Sequence, residues 1–274
     1  MPPSQENTHT THPSPFTVDR PPLKWAGGKR WLTPHLRPRW EPYRRRRLVE
    51  PFCGGLAVAL GLDPRHALLA DTNPHLINFY TWLSKGLRIT LQMRNDERLF
   101  YRHRQRFNNL QRAGNSRSAE AAGLFYFLNR TCYNGLCRFN RSGEFNVPFG
   151  RYTRINYTRD FKAYRQRLAR WTFRVSDIDD LPIRRADFIY ADPPYDVPFT
   201  QYSQGGFSWE DQVRVAERLA THPGPVILSN QATSRIRKLY RRLGFTLEFL
   251  KAPRLISCTG CRVPATEVLA VRNL

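Results

Sequence analysis

An open α/β sheet, mostly parallel and broken by one helical insertion, is the fold class predicted by the order of apolar runs along the chain. Three observations carry that prediction. Residues 48–85 read strand, glycine turn, helix, strand, helix. From about Ile89 to Arg170 the strand signals vanish and the chain becomes helical and arginine-rich. Beyond Arg170 short apolar strands return, and one of them runs straight into Asp192-Pro193-Pro194-Tyr195.

Taken in order, residues 1–20 hold Pro, Thr, Ser, His and Asn without apolar periodicity and read as a disordered tail. Order begins near Pro21-Pro22-Leu23. Residues 48–52 form a buried strand, entered from the basic run at 44–47. Cys53-Gly54-Gly55 turns the chain into a helix over 56–62, and 66–70 is a second strand ending at Asp71. Leu76, Ile77, Phe79, Tyr80 and Leu83 have the spacing of an amphipathic helix over 74–85, with Asn73 as N-cap and Pro74 at its first position. Within the insertion, 132–152 is dense in turn residues. Further strands are expected at 172–175, 188–190, 225–228, 245–247 and 268–271. The sheet is thus assembled from 21–88 and 171–274, around an insertion spanning 89–170.

Basic residues outnumber acids two to one, 44 Lys plus Arg against 22 Asp plus Glu, for a formal charge of +22. Lysine occupies only positions 24, 29, 85, 162, 238 and 251, so arginine supplies most of that charge. A GC-rich genome exchanges Lys for Arg without functional demand, which accounts for their ratio but not for the excess of base over acid. A field of this sign attracts polyphosphates, and the guanidinium fork suits phosphates and guanine edges. Nucleic acid is therefore the expected partner, ahead of an acidic protein or a membrane surface. No apolar run approaches the ~20 residues that span a bilayer, and the N-terminus has no apolar signal core, so a soluble, cytoplasmic protein is expected. Cysteines at 53, 132, 137, 258 and 261 are an odd, scattered set and read as reduced thiols. Cys258 and Cys261 have a metal-type spacing but no second pair, and no metal is expected.

The tetrad 192–195 sets a carboxylate, a proline-fixed backbone carbonyl and an aromatic ring side by side. The prolines fix φ and donate no N–H, which keeps the carbonyl out of a ladder. Two oxygen acceptors and a flat ring can grip a planar exocyclic amine; a strand that merely ends at an Asp-Pro turn is the plain alternative. Glu50-Pro51-Phe52-Cys53-Gly54-Gly55 lies where a strand hands over to a helix, and its glycines permit close approach. Asp71 ends the next strand, where α/β folds place an acid on ribose hydroxyls. The glycine pattern is not G-x-G-x-x-G and no phosphate-cradling loop follows. That favours a nucleoside cofactor without pyrophosphate, such as S-adenosylmethionine. In Lys24-Trp25-Ala26-Gly27-Gly28-Lys29, Lys29 can meet a carboxylate and Trp25 an apolar or aromatic group, while the P-loop spacing is absent.

These motifs, with Ala70-Asp71-Thr72-Asn73, Leu228-Ser229-Asn230 and the long segment from Tyr133-Asn134-Gly135-Leu136-Cys137-Arg138 to Pro148-Phe149-Gly150, occur in the order found in Dam-type DNA adenine methyltransferases. The chain resembles that family (D12 class, alpha group) over about residues 21–272. Its Cys-Gly-Gly-Leu departs from the commoner Gly-x-Gly but resembles the variant in phage-type members. The resemblance implies a Rossmann-like S-adenosylmethionine-dependent methyltransferase sheet, with 89–170 as an inserted, mainly helical target-recognition domain. It implies methyl transfer to adenine N6 in duplex DNA, with GATC as the target, by a monomer that needs no protein partner. Glu50 and Phe52 would border the methionine part and adenine of the cofactor, with Trp25 and Gly54 completing the wall. Lys29 would reach its carboxylate, Asp71 its ribose, and Asp177 would lie near its adenine. Asp192 would face both cofactor and target, accepting from N6 together with the Pro193 carbonyl, while Pro194 stiffens the turn and Tyr195 stacks on the base.

On the same pattern Tyr133 would intercalate beside the flipped base and Asn134 would meet its orphaned partner. Arg138 would read a guanine edge, Leu136 and Pro148 would touch thymine methyls, and Lys24 would make a further base or phosphate contact. Holding both N–H bonds of the amine would localise the nitrogen lone pair for direct attack on the methyl group, with alignment supplying much of the rate. A buried target atom also requires the base to leave the stack. Two other readings stand beside this one. An RNA or cytosine-N4 methyltransferase shares the fold, although Asp rather than Asn or Ser before Pro-Pro-Tyr speaks against it. A repressor would use the basic surface but has no need of Asp71, Asp192 and Tyr195 together.

Overall fold

The computed structural model describes residues 20–196, 206–252 and 265–274. The expected N-terminal tail, Arg20 apart, lies outside these residues, as do Cys258 and Cys261. One sheet holds seven strands: β1 Leu48–Glu50, β2 Ala67–Asp71, β3 Trp171–Val175, β4 Phe188–Ala191, β5 Val226–Gln231, β6 Thr246–Ala252 and β7 Ala265–Arg272. Their spatial order is β3-β2-β1-β4-β5-β7-β6. The first five pair in parallel, and β7 runs antiparallel between β5 and β6. Every predicted strand is present. The first stops at Glu50 rather than Phe52, because Pro51 has no N–H to extend a ladder and the chain turns there.

Alternation along the strands explains why this sheet is covered on both faces. Leu48, Ala67, Leu69, Phe188, Tyr190 and Ile227 point to one core, which is closed by α1 Thr33–Trp40, α2 Ala57–Leu62 and α3 Pro74–Ser84. Val49, Leu68, Ala70, Ile189, Ala191, Val226 and Leu228 point to the other. Val215, Ala216 and Leu219 of a helix at Trp209–Ala220 and Ile236 and Leu239 of another at Ser234–Arg242 close that second core. Each fully buried side chain of this kind contributes roughly 1.5–3 kcal/mol before the entropy of ordering is counted.

The segment 89–170 enters between α3 and β3 and carries α4 Glu97–Arg112, α5 Ala119–Thr131 and α6 Lys162–Leu168; in the same numbering the two helices named above are α7 (Trp209–Ala220) and α8 (Ser234–Arg242). Its described residues form isolated bridges at most, such as Cys132 with Phe149 and Phe139 with Phe145. The segment has no core of its own. Phe79 of α3 stacks on Tyr126 of α5 at 5.6 Å, and Phe161 meets both rings edge-on at 6.0 and 5.2 Å. The apolar interior therefore runs unbroken from the sheet into the insertion. Cys53 and Cys132 lie within it, and burial pushes both thiols up, Cys132 to about 12. No helix among the described residues is long and apolar enough to cross a membrane.

Chain order places the ligand crevice. From β1 the chain builds outward through β2 and β3, then returns to add β4 and β5 on the other side. Ligands of open parallel sheets bind beyond the carboxyl ends of the strands at such a switch point. Here that point lies between Glu50 on β1 and Asp192 just past β4.

Candidate active site

Three turns leave the carboxyl edge and supply the site. The first follows β1. Gly54 has φ +41°, and a Cβ there would come within 2.8 Å of Trp25 Nε1; at Gly55 it would come within 3.0 Å of Trp25 Cβ. The glycines thus admit a ring of the chain itself, and Trp25 packs against the turn. Tyr80 anchors this turn by donating to the Gly54 carbonyl at 2.6 Å. Phe52 stands edge-on to Phe207 at 6.0 Å.

The second turn follows β2. Asp71 accepts from the backbone N–H of Gly54 at 3.2 Å and of Asn73 at 3.0 Å, and Asn73 caps α3 through His75 N and Leu76 N. Burial nevertheless raises the Asp71 carboxyl to about 6, against the pull of those two backbone donors. Glu50 is more extreme. It is buried, its Oε1 has no hydrogen-bond partner among the described residues, and burial together with the nearby Asp192 pushes its pKa well up.

The third turn is the tetrad after β4. Ser229 of β5 donates to Asp192 Oδ1 at 2.7 Å, and its hydroxyl oxygen lies 2.8 Å from the buried Tyr190 hydroxyl. Lys29 Nζ lies 3.1 Å from Asp192 Oδ2, donates to the Gly27 carbonyl at 3.0 Å, and sits 4.4 Å from the centre of the Tyr195 ring. Glu267 of β7 is 3.9 Å from the same ammonium and faces the buried Tyr195 hydroxyl. Gln212 donates to the Pro194 carbonyl at 2.6 Å and is itself oriented by Asn230 at 2.9 Å. Among the described residues no donor reaches the Pro193 carbonyl, which leaves it as an open acceptor. Asp196 ends the turn on Thr233 and Arg235 at the start of α8.

The structure therefore brings Trp25, Lys29, Glu50, Phe52, Gly54, Asp71, Asp192, Pro193, Pro194 and Tyr195 to one edge of the sheet. Two features differ from expectation. Both Asp192 oxygens are engaged, Oδ1 by Ser229 and Oδ2 by Lys29, the cation set among this cluster of acids. Asp177, expected beside the cofactor, has both oxygens on Arg214 of α7 at 2.6 and 3.2 Å, which holds its carboxyl below the usual range. Ser229, Tyr190, Gln212 and Glu267 were not anticipated as members of the site. A polar residue within an apolar strand, as Ser229 and Glu267 are, is the signal that marks them.

A second cluster gathers the residues expected to meet DNA. Asn129 of α5 is buried; it accepts from Lys24 N at 2.9 Å and donates to Lys24 O at 2.7 Å and to Gly135 O at 3.4 Å. Lys24 thereby lies against Gly135, whose φ is +64° and where an added Cβ would come within 2.5 Å of Lys24 Cβ, leaving no room for a side chain. Tyr133 donates its N–H to the Pro148 carbonyl at 2.9 Å, and Lys24 Nζ sits 3.8 Å from the centre of the Tyr152 ring. Tyr133 is 54% exposed and Asn134 stands beside it with φ +51°. A cavity of about 320 Å³ opens between Tyr133, Asn134, Phe149, Gly150, Arg151 and Tyr152. Leu136 is partly buried against the core, Pro148 is exposed, and Arg138 lies outside with its Nε on Asn146 Oδ1 at 2.9 Å. Among the described residues no group of three or more His, Cys, Asp or Glu could hold a metal ion.

Acids at three strand ends, a glycine turn and a proline-fixed carbonyl at the switch point define a protein of the open α/β class with a ligand crevice at its carboxyl edge. Comparison with known families makes this specific. The model of the D12 class N6 adenine-specific DNA methyltransferases matches residues 25–253, and the chain belongs to that family. It is similar to the retron Ec67 DNA adenine methylase of Escherichia coli, 36% identical over 264 residues that cover 91% of this chain and 90% of that protein. The DNA adenine methylase of Vibrio cholerae is 36% identical over 91% of this chain and 94% of its own length. That of Escherichia coli K12 is 34% identical over the same shares. The chain is thus an adenine-specific DNA methyltransferase that uses S-adenosylmethionine.

Proposed function

We propose that the chain methylates adenine N6 within GATC in duplex DNA, with the base flipped into the site and the methyl group passed directly and in line. The observation that carries this reading is the pairing of Asp192 with a free Pro193 carbonyl at the switch point, while Gln212 occupies the neighbouring Pro194 carbonyl. Two acceptors set side by side by a proline-stiffened turn suit the two hydrogens of one amine. Accepting both would localise the nitrogen lone pair, and the Tyr195 ring would set the plane of the base.

The residues present fit the cofactor. S-adenosylmethionine, when bound, supplies an electrophilic methyl group on a cationic sulfonium. Asp192 and Glu267 are the acids set around Lys29 that would face a cationic group there, and Glu50 Oε1, which has no partner among the described residues, would be free to accept a hydrogen bond. Asp71 would take the ribose hydroxyls, Trp25, Phe52 and Gly54 would border the bound nucleoside, and Lys29 would turn from Asp192 to the cofactor carboxylate. With Asp177 committed to Arg214, that residue would act through the placement of its loop.

Residues 89–170 would then serve for target recognition. Support comes from the second cluster, where Lys24 lies against Gly135, Tyr133 with Asn134 beside it is bonded to the Pro148 carbonyl, and Arg138 of the same segment is exposed. Tyr133 would enter the stack, Asn134 would meet the orphaned base, and Leu136 and Pro148 would face thymine methyls. Arg138 would leave Asn146 to read a guanine edge. The test is expression in a methylation-deficient host, with modified adenines mapped by long-read sequencing. Methylation confined to GATC is expected, and another sequence would overturn that part. Asp192→Ala should abolish transfer to duplex DNA. Arg138→Ala should relax discrimination at one base pair by roughly 1–3 kcal/mol, whereas uniform weakening at all sequences would reduce it to a phosphate contact.

A further inference from the structure

The amino edge of the sheet, opposite the site, is lined with arginine. Arg44, Arg45 and Arg46 lead into β1, Arg65 leads into β2, Arg170 into β3, and Arg184 and Arg185 into β4. The order β3-β2-β1-β4 sets these four approaches side by side. Register keeps them level, since Leu48 lies opposite both Ala67 and Phe188, and Ala67 lies opposite Trp171. Arg46 Nη1 donates to the Ala186 carbonyl at 3.4 Å and so joins the β1 and β4 approaches. With neighbouring strands ~4.8 Å apart, the row is roughly 14 Å wide.

Acids do not balance it. Glu41 takes Arg44, Asp63 takes Arg170, and the buried Asp187 takes Arg47. No carboxylate among the described residues lies within ion-pair distance of Arg45, Arg46, Arg65, Arg184 or Arg185, and all but Arg46 are exposed. Like charges gathered in a row add nothing to folding. They do fit a polyanion, and a guanidinium fork suits phosphate.

We propose that this edge binds the phosphate backbone of a second stretch of duplex DNA while the first lies at the site. The inference rests on DNA being the substrate, which brings the chain among polyanions at high local concentration. About eight phosphates occur along roughly 14 Å of duplex. The row is separated from the carboxyl edge by strands such as β2, five residues at ~3.3 Å each, so a straight duplex held at the site does not reach it. An enzyme holding two segments can pass between them without release.

The test uses the triple substitution Arg45→Gln, Arg65→Gln and Arg184→Gln in the full chain, all at exposed positions outside the catalytic and binding residues. Enzyme saturated with a short hairpin that it methylates, carrying a donor dye, is titrated with an unrelated duplex carrying an acceptor. Energy transfer is expected with the unaltered chain, falling as salt rises. In the triple variant the log–log salt slope for the second duplex should fall by about 2–3, from ~0.9 per lost phosphate contact. Methylation of the short hairpin should stay unchanged. Absence of energy transfer in the unaltered chain, or an unchanged slope in the variant, overturns the proposal. So does a matching loss of methylation on the short hairpin, which assigns the row to the footprint of the first duplex. Displacement of the second duplex by a polyglutamate peptide more readily than by unlabelled duplex would instead assign it to an acidic protein. Failure of methylation by the unaltered chain on any duplex would strike the catalytic reading and not this edge.

Discussion

Asp192 is held by two neighbours of unlike kind, a hydroxyl oriented by Tyr190 and an ammonium that also meets Glu267. The hydroxyl fixes Oδ1 and leaves Oδ2 to exchange partners, so removing it should loosen the acceptor without emptying the site. A hydrogen bond to a charged group contributes roughly 1.5–3 kcal/mol. Ser229→Ala should therefore lower the single-turnover rate about tenfold to a hundredfold and leave cofactor affinity nearly unchanged. Asp71 gives a pH signature. Its carboxyl stands at about 6 in the folded protein, above the ~3.9 of an unfolded chain, so its ionisation opposes folding as the pH rises through 6. On the proposed reading the ionised form would accept from the ribose hydroxyls. Cofactor affinity should then rise about tenfold between pH 5 and pH 7, and Asp71→Asn should flatten that profile in a fluorescence titration. Asp71, Asp192 and Pro193 were legible in the sequence because each sits where an apolar run ends at a turn. Tyr190, Ser229 and Glu267 were not, because their polar atoms meet only when three strands distant in sequence lie side by side.

At the scale of elements, the decisive junction is the clasp by which α5 holds the strap before α1. Asn129 matches both the N–H and the C=O of Lys24, as a neighbouring strand would. Asn129→Asp keeps the acceptor and loses the donor, setting a carboxylate against two carbonyls. It should cost roughly 1–3 kcal/mol in thermal stability and weaken duplex binding, with cofactor binding preserved. Cofactor binding lost in proportion would show that the clasp supports the whole carboxyl edge. Strands and α3 were readable from period and capping, and the seven strands fall where alternation places them. Helices α1, α7 and α8 are absent from the expectations drawn above. In α1 two prolines interrupt the apolar pattern; α7 and α8 do carry an apolar stripe, Val215, Ala216 and Leu219 in one and Ile236, Leu239 and Tyr240 in the other, and α7 adds the capping box of Ser208 and Asp211.

At the scale of the whole molecule, the core on the α1–α3 face of the sheet runs without a break through Phe79, Tyr126 and Phe161 into the insertion. Sequence suggested two units because composition changes at 89 and 170. Composition reports the surface, which turns basic there, and not the contacts beneath. A shared interior should melt together, and calorimetry should record a single transition. The sealed sulfurs of Cys53 and Cys132 carry a further consequence. Neither can be alkylated while α2 and α5 stay packed, so each becomes a timer for global opening. Pulsed exposure to iodoacetamide, followed by peptide mass spectrometry, should label the two positions at one common rate. That rate should slow when a cofactor analogue is added, since tightening the carboxyl edge delays the only event that lets the reagent in.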